Sequence, residues 1–116
     1  MKDDFFKFPS TPHLGLLGEV EVRGDKVMGE TEREAFLQKV IVVEEKVDGA
    51  NLGISFDSLG NLHVQNRGTY LELPVAGQWK KLGEWLELRV TTLFEHLSDT
   101  YILFGEWCYA RHSVPY

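Results

Sequence analysis

Two short stretches of alternating character, Asn51 to Phe56 and Asn61 to Asn66, flank Asp57-Ser58-Leu59-Gly60. A period of two puts successive side chains on opposite faces of a strand, and Asp and Gly are turn residues, so the pair predicts a β-hairpin. In its second strand Leu62, Val64 and Asn66 take one side while His63, Gln65 and Arg67 take the other. The run Lys39 to Glu45, built on Val40-Ile41-Val42-Val43, is rich in β-branched residues and predicts a buried strand. From Gln78 to Ser98 the apolar positions Trp79, Leu82, Leu86, Val90, Leu93 and Leu97 recur every three or four residues. That spacing predicts one long amphipathic helix, weakened slightly at Gly83. Thr31-Glu32-Arg33-Glu34 has the pattern of a capping box and predicts a short helix through about Gln38. Thr100 to Trp107 predicts a further apolar strand, and Gly18 to Val27 a strand or hairpin. Two prolines in Phe5 to Leu14 predict extended coil there. Adjacent antiparallel strands with a few helices make an α+β order, not a strict βαβ alternation.

Composition narrows the class. With 116 residues the chain suffices for one compact domain, expected over 1–116. No apolar run approaches the roughly 18 residues of a membrane span. Met1-Lys2-Asp3-Asp4 is not followed by an apolar stretch, so no secretory signal is expected. The single cysteine, Cys108, excludes an intramolecular disulfide and suits a reducing compartment, so an intracellular location, cytoplasmic or nuclear, is expected. A net charge of −6 makes a poor nonspecific adhesive for nucleic acid, so any such contact should be local.

The candidate chemistry centres on Lys46-Val47-Asp48-Gly49, where the apolar run meets a glycine turn. Most surface lysines are simply solvated. One placed behind four apolar residues is expected to be partly buried, which favours the neutral amine that attacks phosphorus or carbonyl carbon. Gly49 lets a backbone pass close to a phosphate. Glu44 and Glu45 either neutralise Lys46 or face solvent. Asp48 and Asn51 either satisfy turn backbone or converge on a ligand beside the lysine. Arg67 offers a bidentate fork to phosphate, against the plainer reading of a surface arginine. Glu106, inside Leu103-Phe104-Gly105-Glu106-Trp107, is expected to bond a buried cation or accept from ligand hydroxyls such as those of ribose. Phe104 and Trp107 are expected in the core. His13 and His112 lack partners at zinc spacing, and no metal-ligand set is named. Cys108 is expected to be a small buried hydrophobe. Neither a Walker Gly-x-x-x-x-Gly-Lys nor a Gly-x-Gly-x-x-Gly motif occurs.

Glu45-Lys46-Val47-Asp48-Gly49-Ala50-Asn51 resembles motif I of the nucleotidyltransferases that include polynucleotide ligases and mRNA capping enzymes. It is most similar to ATP-dependent RNA ligases, in which an asparagine recurs five residues after the lysine. Arg67 fits the next phosphate-contacting arginine, and Phe104-Gly105-Glu106 resembles motif III, whose glutamate holds the ribose. Phe8 to His13 and Ala110 to Tyr116 are also similar to RNA ligases. The resemblance implies an antiparallel-sheet adenylyltransferase domain, of which this chain looks like the N-terminal part, ending after motif III. It implies Lys46 as nucleophile, with Glu44, Glu45, Val47, Asp48, Gly49, Asn51, Arg67 and Glu106 around the nucleotide and Glu44 and Glu45 near the adenine. ATP and Mg2+ (or Mn2+) are the implied cofactors. The implied partner is RNA with 5′-phosphate and 3′-hydroxyl ends. The alternatives are a DNA ligase, a GTP-dependent capping guanylyltransferase, or a non-catalytic nucleotide- or RNA-binding module.

Overall fold

The computed structural model describes residues 4–15 and 27–108, arranged as two compact units, Pro9–Lys46 and Met1–Phe8 with Val47–Tyr116. In chain order the elements are α1 (Glu30–Leu37), β1 (Ala50–Phe56), β2 (Leu62–Gln65), a 3-10 turn (Gly77–Trp79), α2 (Lys80–Glu87), α3 (Val90–Leu97) and β3 (Leu103–Trp107). The architecture is mixed α+β, as expected.

In the larger unit the sheet is antiparallel with order β2-β1-β3. Ile54 stands opposite both Val64 and Leu103, and Asn51 opposite Glu106. The hairpin forms where the alternation placed it. Asp57 Oδ1 accepts from the Leu59 and Asn61 amides, each at 2.9 Å, and Gly60 takes φ +83°, a conformation glycine adopts without strain. The two faces of β1 differ. Leu52 and Ile54 join Val64, Trp79, Leu82 and Leu86 in the core. Phe56, 2% exposed, meets Phe94 edge to face at 5.0 Å. Asn51, Gly53 and Ser55 lie on the opposite face.

The expected long helix is two. Arg89 breaks it in a way the apolar period does not encode. Its backbone N–H donates to Leu86 O (2.9 Å), three residues back, and its Nη1 donates to Trp85 O (3.1 Å). The side chain thus satisfies the carbonyl that a continuous helix would have given to the Arg89 amide. The guanidinium also stacks on Trp85, 4.6 Å from the ring centroid. Both helices still turn their apolar positions inward, Leu82 and Leu86 fully and Leu93 and Leu97 partly.

In the smaller unit α1 starts two residues earlier than the capping box implies. Gly29 is the N-cap and the Arg33 amide donates to its carbonyl (2.9 Å), so Thr31 lies within the first turn and caps nothing. Glu30 and Glu32 favour that end through the helix dipole. The Arg33 side chain donates to the carbonyls of Leu14 and Met28, tying α1 to the segment before it. The expected buried strand over Lys39 to Glu45 is absent. Residues 40–48 have no regular structure, and Val40 is 102% and Val43 86% exposed. β-branched residues favour a strand only where a neighbouring ladder and a covered face exist, and no described segment supplies either. The expected strand or hairpin from Gly18 lies outside the described residues except at Val27, which makes a parallel bridge with His13.

Candidate functional site

The polar face of β1 carries one candidate, Asn51, opposite a second, Glu106, on β3. A Cβ built on Gly53 would meet Gln65 Cγ at 2.6 Å and Phe104 Cε1 at 2.9 Å, so these three residues share one side of the sheet. Alternation adds Asn51 and Glu106 to that side, directly opposite one another across β1 and β3. Asn51 Oδ1 is sealed from solvent without a hydrogen-bond partner among the described residues, and so is Gln65 Oε1. Asn51 therefore does not use this oxygen to cap the preceding turn. Leaving such an acceptor unmade costs about 1–3 kcal/mol, so each is a place where a donor would be stabilised.

Glu106 differs from expectation. It is exposed on an edge strand, and its carboxylate has neither hydrogen bond nor ion pair to another described residue. Alternation turns it away from the core that its apolar neighbours suggest, so no buried cation is needed. Cys108 is likewise exposed, because it follows the last residue of β3 and lies beyond the covered part of the strand. Trp107 does pack on the core. Phe104 is half-buried on the polar face, where Phe8 meets it edge to face at 5.0 Å.

Arg67 sits at the tip of a turn built by its neighbour. Asn66 Oδ1 accepts from the Gly68 (2.9 Å) and Thr69 (2.8 Å) amides, and the Asn66 amide donates to Thr69 O (3.0 Å). The guanidinium is exposed and lies over the Phe8 ring, 5.8 Å from its centroid. It forms no hydrogen bond or ion pair with another described residue, so its donors remain available.

The loop before β1 is only partly covered. Asp48, Gly49 and Asn51 are half-buried and Val47 is exposed. Gly49 is needed for close approach, since a Cβ there would fall 2.9 Å from both Trp107 O and Cys108 Sγ. Within the chain, then, the backbone that Gly49 admits is that of β3. Glu44, Glu45 and Lys46 close the smaller unit, and all three are exposed. The expected partial burial of Lys46 is not found, because the apolar run before it is itself in the open.

Sequence reasoning passed over Phe5, Phe6, Phe8, Gln65 and Tyr70. Gln65 Nε2 donates to Phe6 O (2.8 Å), and Phe5 meets Tyr70 edge to face at 5.1 Å. Burial, and after it the Asp4 carboxylate, raise the Tyr70 hydroxyl above its usual value. The one signal for this cluster was the phase of β2, which placed Gln65 beside His63 and Arg67. The larger hollows lie elsewhere. One of about 490 Å³ is walled by Leu62, Pro74, Val75, Leu86 and Val90 together with Lys80, Glu84 and Glu87, and holds none of the candidate residues. Among the described residues no three His, Cys, Asp or Glu side chains gather as a metal site.

The Lys46-Val47-Asp48-Gly49 loop leads directly into the antiparallel sheet at β1. The RNA ligase family model matches residues 39–116, well over half of the sequence and inclusive of every candidate from Glu44 to Glu106, and the chain belongs to the RNA ligase family. Searches of curated proteins and of solved structures each found no match.

Proposed function

We propose that this protein is an ATP-dependent RNA ligase in which Lys46 is the nucleophile. The Lys46 amine, once it has given its proton to solvent, attacks the α-phosphorus of ATP. A nitrogen–phosphorus bond forms as the bond to the bridging oxygen breaks, and pyrophosphate leaves. The AMP held on Lys46 passes to the 5′-phosphate of an RNA, and a 3′-hydroxyl then displaces AMP to seal the strand. Phosphoryl transfer of this kind asks the protein mainly for positioning and charge neutralisation.

The chemistry of other residues suits those tasks. Arg67 donates to phosphate oxygens. Glu106 accepts from ribose hydroxyls, and Asn51 Oδ1 supplies a second acceptor on the same face. Glu44 and Glu45 offer acceptors to the exocyclic amine of the base, and the backbone of Val47, Asp48 and Gly49 offers donors to phosphate. A bound Mg2+ (or Mn2+) supplies further charge neutralisation. It would be held chiefly by phosphates and water, as Mg2+ favours.

The observation that carries this reading is the Asn51–Glu106 pair: two acceptors opposite each other, neither satisfied by a described residue, within a chain of the RNA ligase family. Intact-mass spectrometry after incubation of the full-length protein with ATP and Mg2+ tests it. An AMP adduct is expected, and none in Lys46→Ala. No adduct on the full-length protein that carries this chain sinks the proposal in favour of a non-catalytic nucleotide- or RNA-binding module. An adduct from GTP in place of ATP favours a capping guanylyltransferase, and sealing of DNA ends alone a DNA ligase.

A further inference from the structure

We infer that Phe8 is a positioning residue for Arg67, which makes the aromatic segment Phe5 to Phe8 a built part of the phosphate-binding site. The inference rests on the assignment of Arg67 to phosphate in the proposed function. Phe8, Arg67, Gln65 and Phe104 all belong to the larger unit. Arg67 lies 5.8 Å from the Phe8 centroid, within the range where a cation gains from the ring's negative face. A benzene ring has no hydrogen-bond acceptor in its plane, so it holds the guanidinium without engaging its N–H donors. An exposed arginine otherwise loses rotamer entropy when it grips an anion, and prior placement against Phe8 lowers that cost.

Phe8 is itself fixed. Its ring meets Phe104 at 5.0 Å, and two residues earlier the Phe6 carbonyl accepts from Gln65 Nε2. Gln65 is 1% exposed, so this anchor has little room to move. Phe5 against Tyr70 secures the other end of the segment. The result is a relay from the buried sheet, through Gln65 and Phe104, to Phe8 and thence to the arginine fork. The ligand class is a phosphate chain.

Calorimetric binding of inorganic tripolyphosphate, alongside the ATP dependence of adduct formation, tests this. Arg67→Ala should weaken tripolyphosphate binding most. Phe8→Leu keeps apolar bulk against Phe104 but loses the ring face, and should weaken binding about two- to fivefold. Phe8→Tyr should bind within about twofold of wild type, since its ring retains the cation–π face. In an Arg67→Ala background Phe8→Leu should have no further effect. If Phe8→Leu does not fold, as judged by its thermal melt, Phe8→Met takes its place with the same expectation. Binding by Phe8→Leu equal to wild type overturns the inference. So does a Phe8→Tyr as weak as Phe8→Leu, an undiminished loss in the Arg67→Ala background, or a wild type that binds no tripolyphosphate. If the tripolyphosphate pattern holds while no AMP adduct forms, the ligase reading fails alone.

Discussion

Replacing Gly53 by alanine probes the packing of the polar face with one methyl group. The added Cβ would lie 2.6 Å from Gln65 Cγ, 2.9 Å from Phe104 Cε1 and 3.0 Å from Gln65 Cδ. Gln65 cannot swing clear, because it is 1% exposed and its amide is held by Phe6 O. Overpacking of this kind costs about 1–3 kcal/mol, and weakening the Gln65–Phe6 bond adds about 1 kcal/mol at most. Against this, losing a glycine from the unfolded chain returns about 0.4–1 kcal/mol. The balance is a loss of about 1–2 kcal/mol, or about 4–8 °C in melting temperature for a chain of this size. Gly105→Ala is the control. It lies on the same sheet, and nothing stands within 4 Å of the place its methyl group would take. Thermal and urea melts of both variants, followed by circular dichroism, should show Gly53→Ala destabilised and Gly105→Ala level with or above wild type. Equal melting of the two variants would refute the claim that Gln65 and Phe104 close over Gly53.

Leu82, 0% exposed at the centre of the core cluster, should cost about 2–5 kcal/mol when cut to alanine, read by urea denaturation; a loss under about 1 kcal/mol would contradict its burial. Asp57 is held from 3.8 down to about 2, first by the His63 ring nitrogen at 2.9 Å and then by the Asn61 and Leu59 amides. A carboxylate depressed in the folded state adds stability that is complete above its unfolded value and lost as pH falls through its folded one, so the wild-type chain should lose stability between about pH 4 and about pH 2. Asp57→Asn should flatten the stability profile in that window, and an unchanged slope would show that the Asp57 contacts contribute nothing.

The sheet was legible because its signals are local. Asp57 and Gly60 mark the hairpin turn, and the phase of Leu52, Ile54, Phe56 and Val64 names the apolar face, although Ser55 and Gln65 on the other face are buried as well. The break between α2 and α3 was not legible, since the apolar period runs straight through Arg89 and only its side-chain bonds to Trp85 end the helix. Val40 to Val43 misled for a related reason: residue type records a preference for a ladder, and the ladder must come from elsewhere in the fold. Of the candidate site, Asn51, Arg67 and Glu106 were found from residue chemistry and resemblance. Phe8 and Gln65 were missed because their roles arise from contacts spanning 59 residues, from Phe6 to Gln65, which no short pattern carries.

The open run Val40-Ile41-Val42-Val43 makes the choice of nucleophile variant matter. Four uncharged aliphatic residues in the open are the kind of segment that self-associates into stacked sheets. Lys39 before it, and Glu44, Glu45 and Lys46 after it, are charged flanks of the gatekeeper type. Lys46→Ala removes a gatekeeper along with the amine, so a silent alanine variant confounds lost chemistry with lost solubility. Lys46→Arg keeps the charge while its permanently protonated guanidinium has no free electron pair to offer phosphorus, and so separates the two.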